Sequence, residues 1–420
     1  MRSPRRTSNP SPARGVVKVT GIVAAVAATV PVVVAAGLAA ADWLVHTDRE
    51  KRRAPNPGKF HAQLEHSDLT IYTSGDELYD DMIEAINSAQ HTVLMGTYIW
   101  KADEVGQRFI DAFNAAAERG VKVHVLYDGF ANLVVPRAFY RQLAEQVHVA
   151  RLPFIGLRFW KGPLRHTGFN HSKVLTVDGE IGFVGGYNIG SQYADYWRDT
   201  HIREIGPGVW GMQHSVAQLW NELHVADDHI AWSPPRMWQP DIEVNANLPV
   251  QLVYPIRQMY LKAIARASHS IYVTTPYFIP DQQIVQALIQ ASQRGVDVRV
   301  MVPKESNHVV ADWVSRGFYG QLLDAGMTIL LYTSSMIHAK TATIDGQWST
   351  VGTANIDRLS LSYNYETNVE IIDPRFAAEL EKIFEADSEH CEVLNSSQWR
   401  DRHPMARVVE LALRPLRPWL

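Results

Sequence analysis

At 420 residues the chain can form one large domain or two ordinary ones, with ample material for a packed core. Hydrophobic residues at 46% and charged residues at 20% exclude a disordered chain. The net charge of −4 gives no global reason to expect nucleic acid, although a local basic groove can hide within an acidic average, and the single Cys391 excludes an intrachain disulfide or a cysteine-built zinc site.

The first sixty residues differ from the rest. Arg2, Arg5, Arg6, Arg14 and Lys18 precede an uncharged run from Val19 to Ala41. A helix over that run spans ~34 Å at ~1.5 Å per residue, enough for a bilayer core of ~30 Å. The expectation is a basic N-terminus and transmembrane anchor over 1–41, which places the protein at the cell membrane. Two other readings stay open: a secretory signal cleaved near Ala39-Ala40-Ala41, and an interfacial helix. Arg49, Lys51, Arg52 and Arg53 balance the first basic cluster, so the membrane face stays open too.

Residues 42–66 read as a polar linker. The first half, 67–232, then alternates: a helix over 76–89, a strand over 91–98, a helix over 105–119 stopping at Gly120, and a strand over 121–126 running into Tyr127-Asp128-Gly129. A proline-rich join, 233–248, precedes the second half, 249–386. There a helix over 258–267, a strand over 271–275, a helix over 283–294 and a strand over 296–302 repeat the order, and 387–420 form a C-terminal segment. Such alternation argues for an α/β sandwich in each half.

One pattern occurs twice. His171, Lys173 and Asp178 precede Gly185-Gly186-Tyr187-Asn188, and His338, Lys340 and Asp345 precede Gly352-Thr353-Ala354-Asn355. The offset is constant, 338 − 171 = 167 and 355 − 188 = 167. One imidazole can attack phosphorus while a second moves a proton, and two lysines with two amides can hold phosphodiester oxygens. The repeat therefore points to phosphoryl-transfer chemistry. His and Lys two apart share a strand face. Asp178-Gly179 and Asp345-Gly346 carry a hairpin signal, so a turn cap is the favoured reading of those carboxylates over a role near the substrate. Asp199 and Glu366 each lie 11 residues beyond the motif asparagine (199 − 188 and 366 − 355). No His, Asp or Glu cluster has metal-ligand spacing, so neither metal nor other cofactor is expected. The segment from Phe154 to Lys161 mixes apolar and basic residues, which fits an interfacial loop or buried core with an edge lysine.

At these residues the chain resembles the phospholipase D superfamily, and within it the bacterial cardiolipin synthases. The likeness runs from about Leu69 to the C-terminus and includes Thr97-Tyr98-Ile99, Arg119-Gly120-Val121, Thr275-Pro276-Tyr277-Phe278-Ile279-Pro280, Arg294-Gly295-Val296 and Asn364-Tyr365-Glu366-Thr367-Asn368. The resemblance implies two pseudo-symmetric α/β sandwich halves meeting at an active-site seam, preceded by one N-terminal hydrophobic helix. It implies that Asp199 and Glu366 orient the catalytic histidines, leaving open which acid serves which. Arg165-His166 lie where relatives place basic residues near phosphate, though the spacing departs from theirs. The expected activity is phosphatidyl transfer between phospholipids such as phosphatidylglycerol, with His171 as nucleophile and His338 as acid and base, or the reverse. The rivals are a hydrolytic phospholipase D, a nuclease of the same superfamily and a noncatalytic lipid-binding relative; no nucleic-acid partner is expected.

Overall fold

The computed structural model describes residues 29–44, 52–153, 168–224, 228–231, 237 and 240–419. Its scaffold is two eight-stranded mixed sheets. The first runs, in spatial order, Lys59–Gln63, Asp68–Tyr72, His201–Ile205, Ile181–Gly185, Val174–Val177, Thr92–Thr97, Lys122–Asp128 and His148–Leu152. The second runs Ile242–Ala246, Thr367–Ile372, Trp348–Gly352, Thr341–Ile344, Ser270–Thr274, Asp297–Pro303, Thr328–Tyr332 and Cys391–Val393. Without the edge strands Lys59–Gln63 and Cys391–Val393, which sit at opposite edges, the two orders are the same.

Local chemistry repeats as well. In each half a helix crosses between parallel strands: Glu104–Glu118, capped by the Asp103 carboxylate, and Gln282–Gln293, capped by Asp281. Both stop at a glycine in the left-handed region, Gly120 at φ 88° and Gly295 at φ 91°. The arginine before each glycine reaches back to the preceding helix. Arg119 donates to Ile86 O at 3.0 Å, and Arg294 donates to Ala267 O at 3.1 Å. The Arg-Gly-Val triplets are thus helix stops that also cap the neighbouring helix C-terminus, where a cation offsets the dipole.

A shared core joins the halves. Leu69, Leu94, Val174, Ile202 and Val216 from the first pack with Val351, Val369, Phe376 and Leu380 from the second in one buried cluster. Helices Val209–Leu223 and Pro374–Ser388 lie at this junction. The seam is closed by hydrophobic burial rather than by a linker.

Two strands fall within stretches read as linkers. Lys59–Gln63 and Ile242–Ala246 are edge strands; the first buries only Ala62, too sparse a pattern to announce itself in sequence. The join around Trp232–Pro235 lies outside the described residues. Residues 29–44 are helical, and Val34, Ala35 and Leu38 pack against the second-half core. Among the described residues no helix is long and apolar enough to cross a membrane. The first part of the run expected to anchor the chain lies outside them.

Candidate active site

The segment entering His171 leaves its own sheet and pairs with the other half. Asn170 bridges Tyr365 in parallel, His171 N donates to Tyr365 O at 3.0 Å, and Tyr365 N donates to Phe169 O at 2.9 Å. At the matching place Met336–Ile337 pairs in parallel with Trp197–Arg198, and His338 N donates to Arg198 O at 2.7 Å. The acid follows directly in each partner strand, Glu366 after Tyr365 and Asp199 after Arg198. Each short ladder therefore delivers to a histidine the carboxylate of the opposite half.

The resulting pairs are close and buried. His171 Nδ1 lies 3.0 Å from both Glu366 oxygens, and His338 Nδ1 lies 2.6 Å from Asp199 Oδ2. The Glu366 and Asp199 side chains are 0% and 1% exposed. A carboxylate on Nδ1 favours the proton there and leaves the lone pair of a neutral ring on Nε2. The segment carrying Asp199 is itself tied across the seam: Arg198 donates to both oxygens of buried Asp387, at 3.0 and 2.6 Å.

Both lysines stand inside this pocket. Lys173 Nζ donates to His171 O at 2.8 Å, and Lys340 Nζ donates to His338 O at 2.5 Å and lies 2.8 and 3.0 Å from His338 Nδ1 and Nε2. Burial pushes Lys173 down to about 7 and Lys340 down to about 8, opposed by Glu366 and Asp199. Burial likewise holds His171 below its ordinary value, with Glu366 opposing. His338 falls well below, through burial first and then the charges of Lys340 and Lys173. Asp199 is raised to about 6 by burial, with Lys340 opposing. Two dehydrated lysines flank two imidazoles whose charged forms burial disfavours. Such a site favours an anion that restores the solvation lost by the lysines.

A family model described as "Cardiolipin synthase, PLD-like domain" matches residues 82–205 and 260–388. The chain belongs to the cardiolipin synthase family of phospholipase D-like enzymes. Each matched stretch carries one motif and one acid. Over 338 residues the chain is 34% identical to the cardiolipin synthase of Staphylococcus aureus (strain N315), covering 76% of this chain and 66% of that protein. Over 370 residues it is 32% identical to the major cardiolipin synthase ClsA of Bacillus subtilis (strain 168), covering 85% and 76%. The fold matches that of phosphatidylserine synthase from Haemophilus influenzae Rd KW20 with a TM-score of 0.64 at 14% identity, over 86% of this chain and 94% of the other.

The other motif residues divide. Asn188 is buried, and its Oδ1 accepts Ile99 N at 3.2 Å. Asn355 is buried too; its Nδ2 donates to Asp357 at 3.0 Å, and its Oδ1 has no hydrogen-bond partner. Asp178 and Asp345 stand elsewhere, beyond the far ends of strands Val174–Val177 and Thr341–Ile344. Asp178 accepts the backbone N–H groups of Gln90, His91 and Thr92 at 2.7–2.8 Å. Asp345 accepts those of Ser268, His269 and Ser270 at 2.7–2.9 Å. Both sit in the left-handed region, at φ 54° and 55°. This is turn-cap geometry, which ties a hairpin to the start of a neighbouring strand. Although part of the repeated motif, these two carboxylates do not converge with the histidines.

Aromatic walls were not foreseen from sequence. Tyr98 meets the His171 ring edge-on at 4.6 Å, and Trp197 lies 4.7 Å from the His338 ring. Tyr277 stands 6.5 Å from His338 and 5.4 Å from His308. Tyr98 and Tyr277 lie just after matched strands, a signal available only once the two halves are superposed. The segment from Phe154 to Lys161 and Arg165-His166 lie outside the described residues.

Proposed function

We propose that this enzyme moves a phosphatidyl group between two phospholipids, with phosphatidylglycerol as donor and acceptor, at a membrane to which its N-terminal segment attaches it. The observation that carries this reading is the crossed pairing of each imidazole with a buried carboxylate, which occupies Nδ1 of each ring and leaves Nε2 for the chemistry at phosphorus.

His171 Nε2 attacks phosphorus, and a P–N bond forms as the P–O bond to glycerol breaks. His338, protonated at Nε2, gives its proton to the departing glycerol oxygen. The hydroxyl of a second phosphatidylglycerol then attacks phosphorus, His338 takes its proton, and the P–N bond breaks to release His171. Lys173 and Lys340 neutralise the nonbridging oxygens, and Asn188 and Asn355 bind them. The phosphodiester brings negative charge beside His338 and so favours its protonation. Asp178 and Asp345 serve the reaction only by holding the motif hairpins.

Water competes with lipid for the intermediate, and lipid prevails only where the acceptor is held in reach. Effective molarities of ~10⁵ M or more are attainable in that arrangement. The test is to supply phosphatidylglycerol alone and identify products by mass spectrometry with a glycerol assay. The expected products are cardiolipin and free glycerol, with phosphatidic acid minor. Predominant phosphatidic acid makes the enzyme a hydrolase, and cleavage of DNA with no lipid product moves it to the nucleases.

A further inference from the structure

Residues 129–136, Gly-Phe-Ala-Asn-Leu-Val-Val-Pro, follow strand Lys122–Asp128 as a loop held firmly from beneath. Asp128 Oδ1 accepts the N–H groups of Phe130 and Ala131 at 2.8 and 2.9 Å. Buried Asn132 donates to Tyr98 O at 2.7 Å and accepts Trp100 N at 2.9 Å. The other Asp128 oxygen accepts Asn170 N at 2.9 Å, so one carboxylate fixes both this loop and the residue before His171. Despite that anchoring, Leu133 is 64% and Val134 81% exposed. Phe130 is 43% exposed, with its ring 5.2 Å from that of Phe169.

The second half brings a matching edge to the same place. Pro249 packs at Gly168, where a Cβ would lie 3.3 Å from its Cγ. The residues beyond, Leu252 and Val253, are 47% and 43% exposed. Leu252 has φ 58°, a left-handed conformation that costs a leucine energy and persists only under constraint. Two loops, one from each half, thus border the stretch 168–170 that leads into His171, and both turn apolar side chains outward.

We propose that these two loops are the rim by which the enzyme seats its active site on an anionic bilayer, with Leu133 and Val134 entering the acyl region. This rests on the reading of the substrate as phospholipid. Rigid loops that expose aliphatic side chains gain nothing in water and match a lipid surface. The flanking charge matches too. Arg137 and Arg141 are exposed just after the first loop, and Arg151 donates to Gly129 O at 2.9 Å. Each arginine near anionic headgroups strengthens binding about fivefold. Glu222, which accepts from Gln251 at 3.1 Å, is a carboxylate beside the second loop.

The test places a single cysteine at Val134 in a Cys391→Ser background of the full chain and labels it with an environment-sensitive fluorophore. On phosphatidylglycerol vesicles its emission should shift to the blue and be quenched by spin-labelled acyl chains. The same label at exposed Glu118, at the end of helix Glu104–Glu118, should not respond. Leu133→Asp combined with Val134→Asp should slow transfer on vesicles about tenfold or more, and leave the rate on dispersed short-chain phosphatidylglycerol within about twofold. An unquenched label on vesicles that the enzyme turns over would overturn the proposal. So would equal loss on dispersed lipid, or a blue shift that needs only a higher protein concentration. Insertion of the label without lipid turnover would support the rim and sink the phosphatidylglycerol reading instead.

Discussion

The two half-sites share a backbone plan and differ in how they hold their carboxylates. Glu366, which serves His171, is gripped from two sides: Oε2 also accepts the Thr353 hydroxyl at 2.5 Å, and that hydroxyl oxygen accepts Thr367 N at 2.9 Å. At the corresponding position, 353 − 167 = 186, the first half has Gly186, where a Cβ would collide with the Asp199 carboxylate. The longer acid comes with a hydroxyl clamp, and the shorter one, whose Oδ1 accepts Thr200 N at 2.8 Å, with a glycine packed against it. The lysines differ as well. Both donate to the carbonyl of their own histidine, but Lys340 Nζ also lies against the ring nitrogens of His338, 2.8 Å from Nδ1 and 3.0 Å from Nε2. An imidazole held by a clamped carboxylate suits the atom that forms the bond to phosphorus. One beside a cation, with a protonation state sensitive to incoming charge, suits the proton carrier.

The largest effect should come from removing either ring. His171→Ala and His338→Ala should each lower transfer by ~10⁴-fold or more, with the fold intact by circular dichroism. A single variant that keeps near-normal transfer breaks the claim that one site needs both halves. Next come the acids. Glu366→Gln and Asp199→Asn should each cost ~10²–10³-fold in kcat, because they lose the orientation of a ring and not the ring itself. Crossed pairing also sets the coupling. Glu366→Gln should add little to His171→Ala, and Asp199→Asn little to His338→Ala, in double-mutant cycles on single-turnover rates. Coupling within each half instead would refute the cross-seam geometry.

Much of this was legible in the chain. The constant offset of 167 gave two equivalent halves, and periodicity placed helices within a residue or two of Gly75–Ser88, Glu104–Glu118 and Gln282–Gln293. The acids were found by their matched distance from Asn188 and Asn355. Their partners were not, because a ladder as short as Met336–Ile337 against Trp197–Arg198 has no periodicity to read and joins residues far apart in sequence. Thr353 was visible only as a motif letter; its contact with Glu366 needs the seam. The exposure of Leu133 and Val134 was not legible either, since exposure of aliphatic residues leaves no trace in composition.

Smaller effects sharpen the contrast between halves. Thr353→Ala should slow transfer about tenfold, and Thr353→Ser should recover most of it, whereas Gly186→Ala should do more damage by displacing Asp199. Comparable, mild losses for Gly186→Ala and Thr353→Ala would erase the asymmetry. The gentlest test is pH. Asp199, raised to about 6, is a carboxylate only above that value, so kcat/KM should fall as pH drops through it. Lys173 and Lys340, lowered to about 7 and about 8, are charged only below those values, so the alkaline limb should set in across that interval. A profile flat through both limbs would deny these groups a part in the free enzyme.

The most direct measurement of the division of labour is to trap the intermediate. His338→Ala should still form the P–N bond when the leaving group is a nitrophenolate, which departs without a proton, and should then stall for want of a base. Rapid acid-free quenching, proteolysis and mass spectrometry of that variant should find the phosphatidyl group on the peptide containing His171, with one equivalent of nitrophenol released. A burst of the same size from His171→Ala, with the adduct on the His338 peptide, would contradict the account.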